Sequence, residues 1–345
     1  MFRNVHFRDG GGKRARWQRC VMWPNAAGVA TMPPMPAARL LFVTGKGGVG
    51  KTTVAAALGQ HAAKLGHRTL IVETANDGRL AHLFGHRKLD ADPRRLQARL
   101  DAVRVDPRDL VEEYFSRLLR FSFLSKRLFA STTFNALTAA APGITEFLLL
   151  ERLLGWIEPG FAARRRAYEV IVVDGPATGH ALKLLRTPRT LATMVPGGPL
   201  GKTARKLLAL LGDHSRTQVV LVSLPEEMAV RETIETHQAL QDDLALHVAR
   251  PVVNRVFPRH FSATEAKELE EQMRTAEGTV APVLSAALFS IGCRREAERH
   301  VAHLRRALGV TPVLLRQLFT ADTRAEHLQH FGHTLARTVL DGMAP

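Results

Sequence analysis

The run Gly45-Lys46-Gly47-Gly48-Val49-Gly50-Lys51-Thr52 fits the spacing G-x-x-x-x-G-K-[ST], and the chemistry of that spacing is the binding of phosphate oxygens. Glycines let successive backbone N–H groups turn inward around an anion, and a helix that follows adds the positive end of its dipole. Gly45, Gly47, Gly48, Val49 and Gly50 then form the cradle and Lys51 reaches the β- and γ-phosphates of a nucleoside triphosphate. The hydroxyl of Thr52, with Thr53 beside it at the start of the helix, faces Mg²⁺. The flanking residues supply the setting: residues 40–43 are an apolar run of strand type and residues 53–59 read as helix.

A second candidate lies far along the chain. In residues 168–180, Tyr-Glu-Val-Ile-Val-Val-Asp-Gly-Pro-Ala-Thr-Gly-His, a buried-strand pattern ends on Asp174 and runs into a glycine-containing turn. A strand-terminal carboxylate opposite a phosphate loop is placed to hold the Mg²⁺ shell, while the turn behind it senses the γ-phosphate. Asp174 and Thr52 are the candidate metal residues.

These groups need a scaffold that brings distant strand ends together. Apolar, β-branched runs recur at residues 40–44, 69–73, 170–174, 219–224 and 251–254, with helical patterns between them. That alternation predicts an α/β fold, a mostly parallel sheet with helices on both faces. Shorter runs at 103–106 and 313–318 predict two further strands. Residues 107–168 read mainly as helix, a helical insertion within a domain spanning 37–345. Its apolar stretches, at 118–124, 128–129 and 147–150, suit either ordinary core or an exposed surface that binds a client.

Composition narrows the class. No apolar run reaches the 18 or more residues of a membrane span. Cys20 and Cys293 alone give neither a disulfide framework nor a C-x-x-C pair, which suits a reducing cytoplasm. The net charge is +16. Residues 1–36 contribute five of these charges, have no helical or strand period, and contain Gly10-Gly11-Gly12 and Met32-Pro33-Pro34-Met35-Pro36. They read as a disordered basic extension. The remaining surplus is scattered, which argues against nucleic acid as partner. Residues 325–340 carry only a weak amphipathic signal, so membrane contact is at most peripheral. His61, His67, His82 and His86 show no metal-ligand spacing and read as solvated or core residues.

The second lysine of the loop sharpens the class. Lys-Gly-Gly-Val-Gly-Lys-Thr, residues 46–52, resembles the deviant Walker A loop of nucleotide-dimerised P-loop ATPases, where the extra lysine crosses a homodimer interface to the partner's nucleotide. Residues 174–186 are similar to the D-T-A-P-T-G-H-T-L-R segment of the arsenite-transport and tail-anchored-protein targeting ATPases. Pro142-Gly143-Ile144-Thr145-Glu146, Leu224-Pro225-Glu226 and Val252-Val253-Asn254-Arg255 resemble three further segments of that family, in the same order. The resemblance covers residues 39–340. It implies a P-loop NTPase fold, ATP and Mg²⁺ as ligands, a homodimer, a client protein, Lys46 as the intersubunit lysine, Asn254 at the adenine edge, and His180 beside the nucleotide.

Two departures qualify it. Where the family has S-T-D-P-A-H, with an Asp that orients the attacking water, this chain has Glu73-Thr74-Ala75-Asn76-Asp77-Gly78. Asp77 or Glu73 takes that role, with Asp77 preferred for its place in the loop, or hydrolysis is slow. The family's arsenite-binding and zinc-binding cysteines are absent. Soft metalloids need thiolates, so the chemistry argues against arsenite as substrate. Two rival readings stand beside the dimeric ATPase: a ParA- or MinD-like partition or positioning ATPase, and a nucleotide-sensing adaptor with little turnover.

Overall fold

The computed structural model describes residues 40–74, 78–119, 143–158, 168–195, 197–320 and 323–335. The basic extension, Asp77, Pro142 and the apolar runs at 120–124 and 128–129 lie outside them.

Eight strands form one sheet: β1 (Leu40–Gly45), β2 (Thr69–Glu73), β3 (Arg94–Gln97), β4 (Leu100–Arg104), β5 (Val170–Asp174), β6 (Thr217–Ser223), β7 (Val252–Val256) and β8 (Val313–Arg316). Their order is β3-β4-β2-β5-β1-β6-β7-β8. Every pairing is parallel except β3 against β4. All the runs expected as strands are strands, with ends displaced by up to three residues; β4 begins at Leu100, ahead of the expected 103. β3 escaped the sequence reading. Its Arg94-Arg95-Leu96-Gln97 has no apolar run, because an antiparallel edge strand needs to bury little; both arginines are exposed.

Consecutive residues of each central strand enter opposite cores. Leu41 and Val43 of β1 join one cluster with Ile71 and Val172, while Leu40 and Phe42 join the other with Leu70, Val72, Ile171 and Val173. This two-sided burial explains why the strands read as continuous apolar runs without alternation. The first core is covered by α1 (Lys51–Lys64), α2 (Arg79–Leu83) and α10 (Leu328–Leu335). The second is covered by α3 (Pro107–Leu119), α4 (Ile144–Ile157), α5 (Thr178–Met194) and α6 (Gly198–Gly212). A smaller cluster joins α7 (Glu227–Gln238) and β7 to the 29-residue α9 (Val280–Leu308). Between them α8 (Ala263–Met273) starts in a capping box made by Ser262 and Glu265.

Two expectations are resolved by packing. In the helical insertion, Phe147, Leu148, Leu149 and Leu150 of α4 are buried core residues and not a free surface. Near the C-terminus, Leu328, Phe331 and Leu335 of α10 are buried against the first core, so its apolar face is already covered by protein. There Gly332 lies so close to α1 that a Cβ would stand 3.0 Å from both the Ala57 carbonyl oxygen and the His61 Cβ. His61 is itself buried and meets His333 edge to face, ring centroids 5.1 Å apart. Burial, with help from His333 and Lys64, pushes its pKa down to about 4. Among the described residues no helix is long and apolar enough to cross a membrane.

The chain leaves β1 through α1 on one face of the sheet and leaves β5 through α5 and α6 on the other. Neighbouring strands whose connections depart to opposite faces open a crevice at their carboxyl ends, where ligands bind in open α/β sheets.

Candidate functional site

The crevice contains a cavity of about 450 Å³. Gly47, Gly48, Gly50, Lys51, Thr52 and Thr53 form one wall, Asp174 and Gly175 a second, and Arg79, His82, Leu83, Arg255 and Thr323 complete it. The loop connects β1 directly to α1. Gly50, the residue before the helix, has φ 96°, and a Cβ there would stand 2.3 Å from the Asn254 amide nitrogen. Only glycine fits both the left-handed backbone and that close approach. The Lys51 ammonium donates to the Lys46 carbonyl at 3.2 Å, folding the lysine back over its own loop.

Asp174 sits at the end of β5, in register with Val43 of β1 on one side and Glu73 of β2 on the other. The turn after it is tied to its neighbours. The Gly175 N–H donates to the Val43 carbonyl (2.9 Å), the Thr44 hydroxyl to the Pro176 carbonyl (2.8 Å), and the Thr74 hydroxyl to the Asp174 carbonyl (2.7 Å). A Cβ at Gly175 would lie 2.7 Å from the Val43 carbonyl oxygen, so the turn can lie this close to β1 only as glycine. Thr52 and Asp174 therefore present a hydroxyl and a carboxylate to one cavity. This hard oxygen donor set fits Mg²⁺, which takes one or two protein ligands together with substrate phosphate and water.

Lys46 behaves differently from Lys51. Its side chain is 39% exposed, does not line the cavity, and lies 4.0 Å from a carboxylate oxygen of Glu232 on α7. The other oxygen of Glu232 accepts a hydrogen bond from the Thr178 hydroxyl at the first residue of α5. One carboxylate thus bridges the glycine loop and the segment that follows Asp174. Neither Glu232 nor Thr178 stood out in the sequence as a site residue. Thr178 lay inside the recognised T-G-H run, whereas nothing in the local pattern around Glu232 marks it. His180, expected beside the nucleotide, is exposed and outside the cavity wall; Thr178 is the buried member of that run.

Glu73 is fully buried at the end of β2, and its carboxylate accepts the N–H of Leu80 at 3.1 Å. It does not line the cavity. Gly78, the N-cap of α2, offers no side chain to the helix start, so the Glu73 carboxylate serves one of its N–H groups from the neighbouring strand. This geometry assigns Glu73 a structural hydrogen bond at the start of α2.

Asn254, buried at 5% exposure, donates from its amide nitrogen to the Val49 carbonyl (2.9 Å) and accepts from the Arg255 N–H (2.9 Å). An asparagine amide has two donors and two acceptor lone pairs. These two bonds leave one donor and one lone pair of the amide unused by them, and Asn254 itself does not line the cavity. Arg255 takes φ 55°, unusual for a residue with a side chain, and lines the cavity. Arg79 and His82 line it from α2. His82, read from sequence as solvated or core, is a wall residue because the helix following β2 folds back over the start of α1.

Comparison with known proteins agrees with this geometry. The family model described as anion-transporting ATPase matches residues 38–197 and 200–282. The ATPase BagA of Mycobacterium tuberculosis is 28% identical over 262 residues, 74% of this chain and 75% of the relative. A putative arsenical pump-driving ATPase of Halobacterium salinarum is 29% identical over 270 residues, 69% of this chain and 40% of the relative. The arsenical pump-driving ATPase of Escherichia coli is 26% identical over 235 residues, 63% and 39% respectively. The aligned part is therefore well under half of either pump-driving relative and three quarters of the mycobacterial one. The glycine loop, the strand-end Asp174 and a family match over most of the folded chain converge: this chain belongs to the anion-transporting ATPase family, on a P-loop α/β fold.

Proposed function

We propose that the chain is a Mg²⁺-dependent ATPase that closes as a homodimer on ATP and passes the change to a client or partner protein. The observation that carries the ATPase reading is the single cavity in which the glycine loop, Lys51, Thr52 and Asp174 face one another. Bound Mg²⁺ would neutralise charge between the β- and γ-phosphates. Lys51 and the loop N–H groups hold the phosphate oxygens, Thr52 and Asp174 hold the metal, and Asn254 fixes the loop while offering its remaining donor and acceptor to adenine.

The dimer reading is supported by Lys46. Its ammonium stands by Glu232, outside its own cavity and partly in solvent, a position from which a second copy's nucleotide is a better target than its own. Coupling to a client is supported by continuity, since the turn after Asp174 becomes α5, which packs on α6 and ends in exposed Met194.

The test is turnover of ATP against protein concentration in the presence of Mg²⁺. Turnover per subunit that rises with concentration, and falls in Lys46→Ala, supports a dimer-coupled enzyme. Concentration-independent turnover unaffected by Lys46→Ala overturns the dimer role.

A second reading, a nucleotide-sensing adaptor with little turnover, is favoured by one observation. Among the described residues, Asp174 is the only carboxylate on the cavity wall, and Glu73 holds α2. Tight ATP binding without turnover in the same assay selects it. Asp77 remains the proposed water-positioning residue if turnover is found.

A further inference from the structure

We propose that Arg79 is a phosphate-contacting residue: an arginine of the same chain that reaches the terminal phosphate of the bound triphosphate and distinguishes it from a diphosphate. The assignment rests on reading the cavity as a nucleotide site.

Arg79 opens α2, a helix of five residues anchored by three sets of contacts. Leu80 and Ala81 are fully buried in the first core, the Leu80 N–H is bonded to the Glu73 carboxylate, and the Leu83 carbonyl accepts the N–H of Ala325 at 2.9 Å. With that side of the helix fixed, residues 79 and 82, one turn apart, share the other side and line the cavity. A short helix anchored in this way gives a long cationic side chain a defined point of entry. Glu73 thus contributes to the site indirectly, as a positioning residue for α2.

Topology indicates which phosphate Arg79 meets. α2 follows β2, the strand beside β5, and Glu73 is in register with Asp174. Arg79 therefore enters from the Asp174 side. Arg255 enters from β7, beyond β1 and β6. The loop lysine and Thr52 fix the β- and γ-phosphates and the metal. With the metal carboxylate on the β5 side, the terminal phosphate lies toward Asp174 and the remainder of the nucleotide toward β7. Arg79, from the helix after β2, is the cavity-lining arginine on the β5 side by strand order.

The charge balance agrees. Among the described residues of the wall, Lys51, Arg79 and Arg255 face the single acid Asp174. That excess suits a polyphosphate better than a neutral ligand. A guanidinium is permanently charged and planar, and matches two phosphate oxygens at once, a contact a diphosphate would lack at this end.

The test is equilibrium binding of a non-hydrolysable ATP analogue and of ADP, each with Mg²⁺, to the full chain and to Arg79→Ala and Arg79→Lys. The expected result for Arg79→Ala is a loss of about 10- to 100-fold for the triphosphate, the size of a charge-assisted hydrogen bond, with ADP changed by less than about threefold. Arg79→Lys should recover part of the loss, because it restores charge without the planar fork. Equal losses for both nucleotides, or none, overturn the assignment, and thermal melting of each variant identifies a loss that comes from unfolding. Parent protein that binds neither nucleotide overturns the reading of the site itself, and the assignment with it.

Discussion

The side-chain amide of Asn254 donates to the carbonyl of Val49 at 2.9 Å across 205 positions of sequence, so the middle of β7 holds the glycine loop. The loop's shape depends on a residue near the far end of the sheet. Asn254→Ala leaves a Val49 carbonyl without this partner, at a cost of about 1–3 kcal/mol. ATP affinity should fall at least about tenfold, with a lower melting temperature. Asn254→Asp keeps the acceptor for the Arg255 N–H but loses the donor, and should reproduce the affinity loss. Calorimetric titration with ATP measures both.

Glu73 and Asp77 separate by mutation. Glu73→Ala removes the acceptor for the buried Leu80 N–H and should destabilise the fold by about 2–4 kcal/mol, read by denaturant unfolding. Glu73→Gln keeps a carbonyl oxygen there and should turn over ATP within about threefold of the parent. If Asp77 orients water, Asp77→Asn should lose about 100-fold in turnover with little change in stability. A Glu73→Gln enzyme slowed as much as Asp77→Asn would return Glu73 to the chemistry.

Glu232 joins Lys46 to Thr178. Glu232→Gln keeps an acceptor for the threonine hydroxyl and removes the charge beside the lysine. ATP-dependent dimerisation, followed by light scattering, should shift by about two- to tenfold in affinity, while monomer ATP affinity stays near that of the parent. Pairs this exposed are worth about 0.2–1 kcal/mol within one chain, so the melting temperature should hardly move. A large stability loss without a dimerisation effect would make Glu232 a structural brace.

His61 gives a pH dependence of definite sign. Its folded pKa, about 4, lies below the ordinary 6.5 because burial disfavours the charged ring. Between those values the unfolded chain binds the additional proton. Stability is therefore full above about pH 6.5 and falls as the pH drops toward 4, by up to about 3 kcal/mol from this residue. His237 and His247, also lowered by burial, act in the same direction. His61→Leu should flatten part of the slope of melting temperature against pH. Gly332→Ala, which crowds the Ala57 carbonyl and His61, should lower it at every pH by the equivalent of about 1–3 kcal/mol.

Seven of the eight strands, the glycine loop and the carboxylate at the end of β5 are legible in the sequence alone. Each of these is a local pattern: buried parallel strands must be apolar on both faces, and a phosphate cradle needs its glycines at fixed spacing in one segment. Leu40–Gly45 and Val170–Asp174 were legible for that reason, and β3 was not, because an exposed edge has no such pattern to write. The contacts of the polar side chains are visible only in the folded chain. Glu73 and Asp77 are alternatives in the sequence, and the structure adds that Glu73 bonds the Leu80 N–H; Asn254 is a candidate base contact, and the structure adds that its amide holds Val49; Arg79 becomes a wall residue only when α2 packs near α1. These roles depend on distance and burial between segments up to 205 residues apart, and no local composition encodes such contacts.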